Sequence, residues 1–85
     1  MKPVEIYTST LCGFCHAAKR LLNQKGIAFT EISVDGRPDI RGAMTERAGG
    51  KRTVPQIFVG PAHLGGCDDL YALEREGRLD ALLAS

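Results

Sequence analysis

The hydrophobic pattern of this chain changes period across Cys12-Gly13-Phe14-Cys15, and that change constrains the fold more than any other feature. Before it, Val4, Ile6 and Thr8 alternate with Glu5 and Tyr7 in a β-branched run bounded by Pro3 and Thr8-Ser9-Thr10, which predicts a short strand. After it, Phe14, Ala17, Ala18, Leu21 and Leu22 recur at three and four, while His16, Lys19, Arg20, Asn23 and Gln24 fill the other side. That spacing predicts an amphipathic helix closed by Gly26. Two cysteines three apart in its first turn share one face at its amino end. Unpaired backbone N–H groups and the positive end of the helix dipole gather there, and both favour an anion. A thiolate is an anion, so redox chemistry is expected at this point.

Eighty-five residues predict one small domain over 1–85 with one modest core. The formal charge of +1 gives no strong attraction to nucleic acid or anionic membranes. The pairs Lys19-Arg20 and Lys51-Arg52 are too short for a nucleic-acid patch and have no aromatic residues interleaved. The start, Met1-Lys2-Pro3-Val4-Glu5, lacks an apolar core of signal-peptide length. No apolar run approaches the roughly 18 residues that span a bilayer. A cytosolic setting is expected, where thiols stay reduced and a Cys-x-x-Cys is more often catalytic or metal-binding than structural.

Further along, residues 27–34 predict a second strand, broken by Asp35-Gly36. Pro38 suits the first turn of a second helix, with Asp35 or Gly36 near its cap and Ile40, Ala43, Met44 and Ala48 as its apolar stripe, ended by Gly49-Gly50. Met44 is read as core. Gln56-Ile57-Phe58-Val59 predicts a third strand, and Gly60-Pro61 turns the chain into a short antiparallel return at Ala62-His63-Leu64. Asp68 or Asp69 then caps a helix bearing Leu70, Tyr71 and Leu73 and closed at Gly77. A last half-turn with Leu79, Leu82 and Leu83 docks on the core. The expected order is β-α-β-α-β-β-α, giving an α/β mixed four-stranded sheet with helices on both faces, the first crossover right-handed.

Three readings of Cys12 and Cys15 follow from the residues alone. In dithiol redox catalysis, a cysteine of reference pKa about 8.5 must be lowered by a unit or more to react quickly. A helix terminus offers about 0.3–1 kcal/mol when exposed and up to about 2 when partly buried, so direct N–H donors must supply the rest. Cys12 lies at the cap and Cys15 one turn inside, which makes Cys12 the nucleophile and Cys15 the resolving thiol. C-type haem is suggested by C-x-x-C-H, but His16 falls among Lys19 and Arg20 on the polar face. Zinc held by Cys12, Cys15, His63 and Cys67 requires a gap far longer than the roughly 12–20 residues of common zinc modules.

With its motifs in view, the sequence resembles the glutaredoxin family in its short bacterial dithiol form, over nearly the whole chain. The resemblance rests on Val4-Glu5-Ile6-Tyr7-Thr8, Cys12-Gly13-Phe14-Cys15, Thr53-Val54-Pro55-Gln56-Ile57-Phe58 and Gly65-Gly66-Cys67-Asp68-Asp69-Leu70, in the family's order and spacing. It implies a thioredoxin-like fold and glutathione-dependent thiol–disulfide exchange with glutathionylated or disulfide-containing client proteins, carried out by a monomer. It implies a cis Pro55, with Val54 held extended so that its N–H and C=O pair with the tripeptide. Thr53 belongs to the same segment. Gly66, Cys67 and Asp68 would hold the γ-glutamyl end, Lys51 or Arg52 the glycine carboxylate, and Phe14 would flank the tripeptide. Two departures stand out. Ser9 replaces a common lysine, removing a cation near Cys12, and Gly13 replaces the usual proline. Cys-Gly-Phe is also similar to the monothiol relatives that hold a [2Fe–2S] cluster between two chains, although those end the motif in serine and usually carry a tryptophan, which this chain lacks. The third thiol, Cys67, is read as a small half-buried filler, with an oxidisable regulatory role as the alternative.

Overall fold

The computed structural model describes residues 2–84. Its elements are β1 (Val4–Thr8), α1 (Gly13–Gln24), β2 (Thr30–Ser33), α2 (Pro38–Arg47), β3 (Gln56–Val59), β4 (Ala62–Gly65), α3 (Cys67–Arg75) and α4 (Leu79–Ala84). The strands form a mixed sheet in the order β2-β1-β3-β4. β1 runs parallel to β2 and antiparallel to β3, and β3 pairs antiparallel with β4 through an irregularity at Ile57/Phe58. The expected element order and sheet are present, and the last half-turn is a helix of its own.

Strand alternation divides the core between two layers. Val4, Ile6, Ile57 and Val59 face Ala18, Leu21 and Leu22 of α1, together with Leu70, Leu79 and Leu83 of the last two helices. On the opposite side, Tyr7 and Phe58 face Val34, Met44 and Ala48. Because β3 lies inside the sheet with both faces covered, all four of its residues are buried, including the polar Gln56. Phe58 organises the second layer: Tyr7 meets it edge-on at 5.7 Å, His63 stacks on it at 4.9 Å, and the Arg47 guanidinium lies 4.0 Å from its centroid.

Several local expectations are corrected. The second strand begins only at Thr30, because the Ile27 N–H closes the end of α1 by bonding to the Leu22 carbonyl at 2.9 Å. Phe14 leaves the apolar stripe of α1 and is 67% exposed, and Cys15 takes its place among the buried residues. Ala43 faces solvent, so α2 anchors through Met44 and Ala48 with Ile40 half-buried. Arg37 occupies the cap position of α2 without a side-chain bond, because the Asp35 carboxylate is engaged elsewhere. The third helix begins at Cys67, with Gly66 rather than an aspartate at its cap.

Candidate active site

Cys12 sits at the cap of α1 in extended conformation (φ −105°, ψ 108°), where its Sγ accepts the Cys15 backbone N–H at 3.1 Å. The same sulfur lies 3.4 Å from the Val54 carbonyl, to which its S–H donates. Cys12 is half-buried, while Cys15 is fully enclosed, and neither is in a disulfide. Burial pushes the Cys15 thiol up to about 12, helped by its hydrogen bond and proximity to Cys12 and opposed by the Ser9 backbone and the Lys19 charge. Access therefore separates the two cysteines, and burial keeps the proton on Cys15. Cys12 faces outward at the positive end of the helix, and Cys15 is a protonated thiol behind it.

The turn that delivers Cys12 is fastened from both sides. Asp35 accepts the Ser9 Oγ–H at 2.6 Å, the Thr10 N–H at 2.9 Å and the Thr10 Oγ1–H at 2.6 Å. These bonds hold its carboxyl down at about 2, those of the two hydroxyls first. The Ser9 carbonyl accepts the Cys12 N–H at 3.2 Å, and the Thr10 carbonyl lies 3.0 Å from His16 Nε2. Ser9 therefore ties the loop where the family's lysine would place a charge, and His16 braces the same turn.

Beside Cys12 opens a groove of about 310 Å³, walled by Phe14, by Lys51 and residues 53–56, and by residues 66–69 at the start of α3. The Val54–Pro55 peptide is cis. Of the residues expected to bind glutathione, Phe14, Lys51, Thr53, Val54, Pro55, Gly66, Cys67 and Asp68 all line this groove. Arg52 does not. Its carbonyl is held by Arg41 Nη1 at 2.7 Å, and it borders a separate depression against α2. Gln56 and Asp69 join the lining. Asp69 reaches back to accept the Gly66 N–H at 2.9 Å, fixing the first turn of α3. Gly65 makes room for it: φ is +122°, and a Cβ there would collide with the Asp69 carboxyl.

Cys67 is buried against the core, and burial, followed by the neighbouring Asp68, raises its pKa. The zinc set does not assemble: among the described residues no three Cys, His, Asp or Glu side chains are grouped as metal ligands, and His63 instead meets Gln56. No described helix is long and apolar enough to cross a membrane.

A thioredoxin-like sheet that presents an accessible cysteine at a helix cap, with a buried partner one turn on, defines a thiol oxidoreductase. The chain belongs to the glutaredoxin family: the Glutaredoxin family model matches residues 4–64. It is similar to the glutaredoxin of Pseudomonas aeruginosa, 54% identical over 85 residues and covering all of both chains. To glutaredoxin 3 of Escherichia coli K12 it is 53% identical over 83 residues, 98% of this chain and 99% of that one. Its fold superposes on a crystal structure of the buckwheat glutaredoxin–glutathione complex with a TM-score of 0.87 at 35% identity, covering 98% of this chain and 77% of that one.

Proposed function

We propose that the chain is a monomeric, cytosolic, single-domain enzyme that uses glutathione to reduce mixed disulfides and disulfides of client proteins. One observation carries this reading: the Cys12 sulfur lies 3.4 Å from the carbonyl of Val54, which lines a groove whose walls suit the functional groups of a tripeptide thiol. The Val54 backbone, beside the cis Pro55, offers an N–H and a C=O to the tripeptide's cysteine unit. N–H groups at the start of α3 suit the γ-glutamyl carboxylate, and Asp68 suits its ammonium. Lys51 serves the glycine carboxylate, and Phe14 covers the ligand's flank.

In the proposed cycle, the Cys12 thiolate attacks the glutathione sulfur of a protein–glutathione disulfide. The protein sulfur leaves as a thiolate and takes a proton from water. A second glutathione thiolate then attacks the glutathione sulfur bound to Cys12, releasing oxidised glutathione and restoring the Cys12 thiolate. With a protein disulfide, the Cys12 thiolate attacks one client sulfur, breaking the client's S–S bond. The other client sulfur leaves as a thiolate, and Cys12 is left in a mixed disulfide with the client. The Cys15 sulfur, once deprotonated, displaces the client's thiolate and closes a Cys12–Cys15 disulfide, which two glutathione molecules reduce.

The test is a pair of variants assayed for glutathione-dependent deglutathionylation and for protein-disulfide reduction. Cys12→Ser is expected to abolish both activities, and Cys15→Ser to keep the first and lose the second. Glutathione-dependent turnover by Cys12→Ser would overturn the nucleophile assignment. A brown anaerobic preparation that bleaches in air and lacks turnover would assign the site to a [2Fe–2S] cluster instead.

A further inference from the structure

We propose that His63 is a positioning residue for the groove, acting through the Gln56 carboxamide on Thr53. Gln56 is a polar side chain only 2% exposed at the centre of the sheet, so its amide must find partners within the protein. Its Nε2 donates to the Thr53 carbonyl at 2.9 Å and to Thr53 Oγ1 at 3.3 Å. A carbonyl oxygen can only accept, which fixes the amide with nitrogen toward Thr53 and oxygen toward β4. That oxygen lies 2.6 Å from His63 Nε2, and His63 must therefore supply the N–H.

The ring is held for this task by stacking on Phe58, its plane 27° from the Phe58 ring. Three charged groups bear on it. Burial, Lys51 and Arg47 favour the neutral ring, and Asp69 opposes them. Both the neutral Nε2–H form and the imidazolium can donate, so the bond to Gln56 survives protonation.

The route ends at the chemistry. Thr53 adjoins Val54, whose carbonyl meets the Cys12 sulfur and whose backbone lines the groove. Among the described residues, no buried side-chain nitrogen or oxygen lacks a hydrogen-bond partner. Removing the N–H at position 63 would strand the Gln56 oxygen, and the amide's escape from that state releases its grip on Thr53. The sequence gives no hint of this relay, because Gln56 stands in an otherwise apolar run and His63 on an edge strand.

The kinetic arm of the test rests on the groove being a glutathione site; the other arm does not. His63→Phe keeps a ring on Phe58 and removes the N–H, whereas His63→Gln restores an N–H and removes the ring. His63→Phe is expected to raise KM for a glutathionylated peptide about five-fold, the scale of one buried hydrogen bond, with kcat within about two-fold, and His63→Gln to stay near wild type. The opposite order, or equal loss in both, would make His63 a packing residue and overturn the proposal. In the wild-type protein without glutathione, nitrogen NMR at pH 7 must show the His63 ring protonated at Nε2. A ring carrying its proton only on Nδ1 refutes the relay, whatever the variants do. A wild-type enzyme that does not saturate with a glutathionylated peptide refutes the glutathione reading, and the NMR result then decides the relay alone.

Discussion

Replacing Gly65 with alanine is expected to destabilise the protein by about 2–4 kcal/mol, a large part of the roughly 5–15 kcal/mol that a small domain has. Two contributions add. The backbone at Gly65 has φ +122°, a conformation that costs a residue with a Cβ about 1–3 kcal/mol. The new methyl also falls on the Asp69 carboxyl, with the Asp69 Cγ only 2.7 Å from the Cβ position, so that side chain must leave the Gly66 N–H it caps. Loss of such a cap costs about 0.5–2 kcal/mol. Urea unfolding measures the sum. With a slope near 1 kcal/mol per molar, the midpoint should fall by about 2 M or more. A double-mutant cycle separates the parts. In Asp69→Ala the cap is already lost and only the residue's Cβ, 2.9 Å from the new methyl, still crowds it, so adding Gly65→Ala should cost about 1 kcal/mol less than it does in the wild type. A loss below about 1 kcal/mol, or strict additivity, would show that α3 does not start as the structure places it.

Two further outcomes follow from the loops around Cys12. Gly13→Pro should stabilise the protein by about 0.4–1 kcal/mol, a rise in Tm of a few degrees. Gly13 is the first residue of α1, a Cβ there meets nothing within 4 Å, and Cys12 before it is already extended; a calorimetric Tm below wild type would contradict this. Asp35→Asn should flatten the acid limb of the stability curve. A carboxyl lowered to about 2 in the folded state contributes stability above its unfolded pKa of about 3.9 and loses it as pH falls through the folded value. The difference between variant and wild type should therefore shrink between about pH 4 and pH 2, and parallel unfolding curves across that window would refute the Asp35 clamp.

What could be read from the sequence depended on whether the cause was local. β1 and α1 were legible because period two and period 3.6 are written into neighbouring residues, and the cysteine pair inherits its place from them. Asp35 lies near the cap of α2 as its sequence position predicts, but its work as a clamp was not legible, because its partners lie 25 and 26 residues upstream, beyond the reach of any local rule. Phe14 satisfies the spacing of the buried face yet lines the groove, while Cys15 beside it takes the buried place. Lys51 and Arg52 are adjacent and alike in charge. Only the path of the loop, fastened at the Arg52 carbonyl, sends one to the groove and the other to α2. Gln56 was hidden for a different reason, since a buried amide within an apolar strand declares its purpose only through its partners.

The proton on Cys15 also sets an order of events. Part of what retains it is the Cys12 sulfur itself, through a hydrogen bond and the repulsion between two thiolates. Once Cys12 is spent in a disulfide, those two restraints vanish while the Lys19 charge remains, and the second thiol loses its proton more readily. In the proposed cycle, resolution would thus follow attack without any moving part, although burial, the largest cause, continues to hold the Cys15 proton.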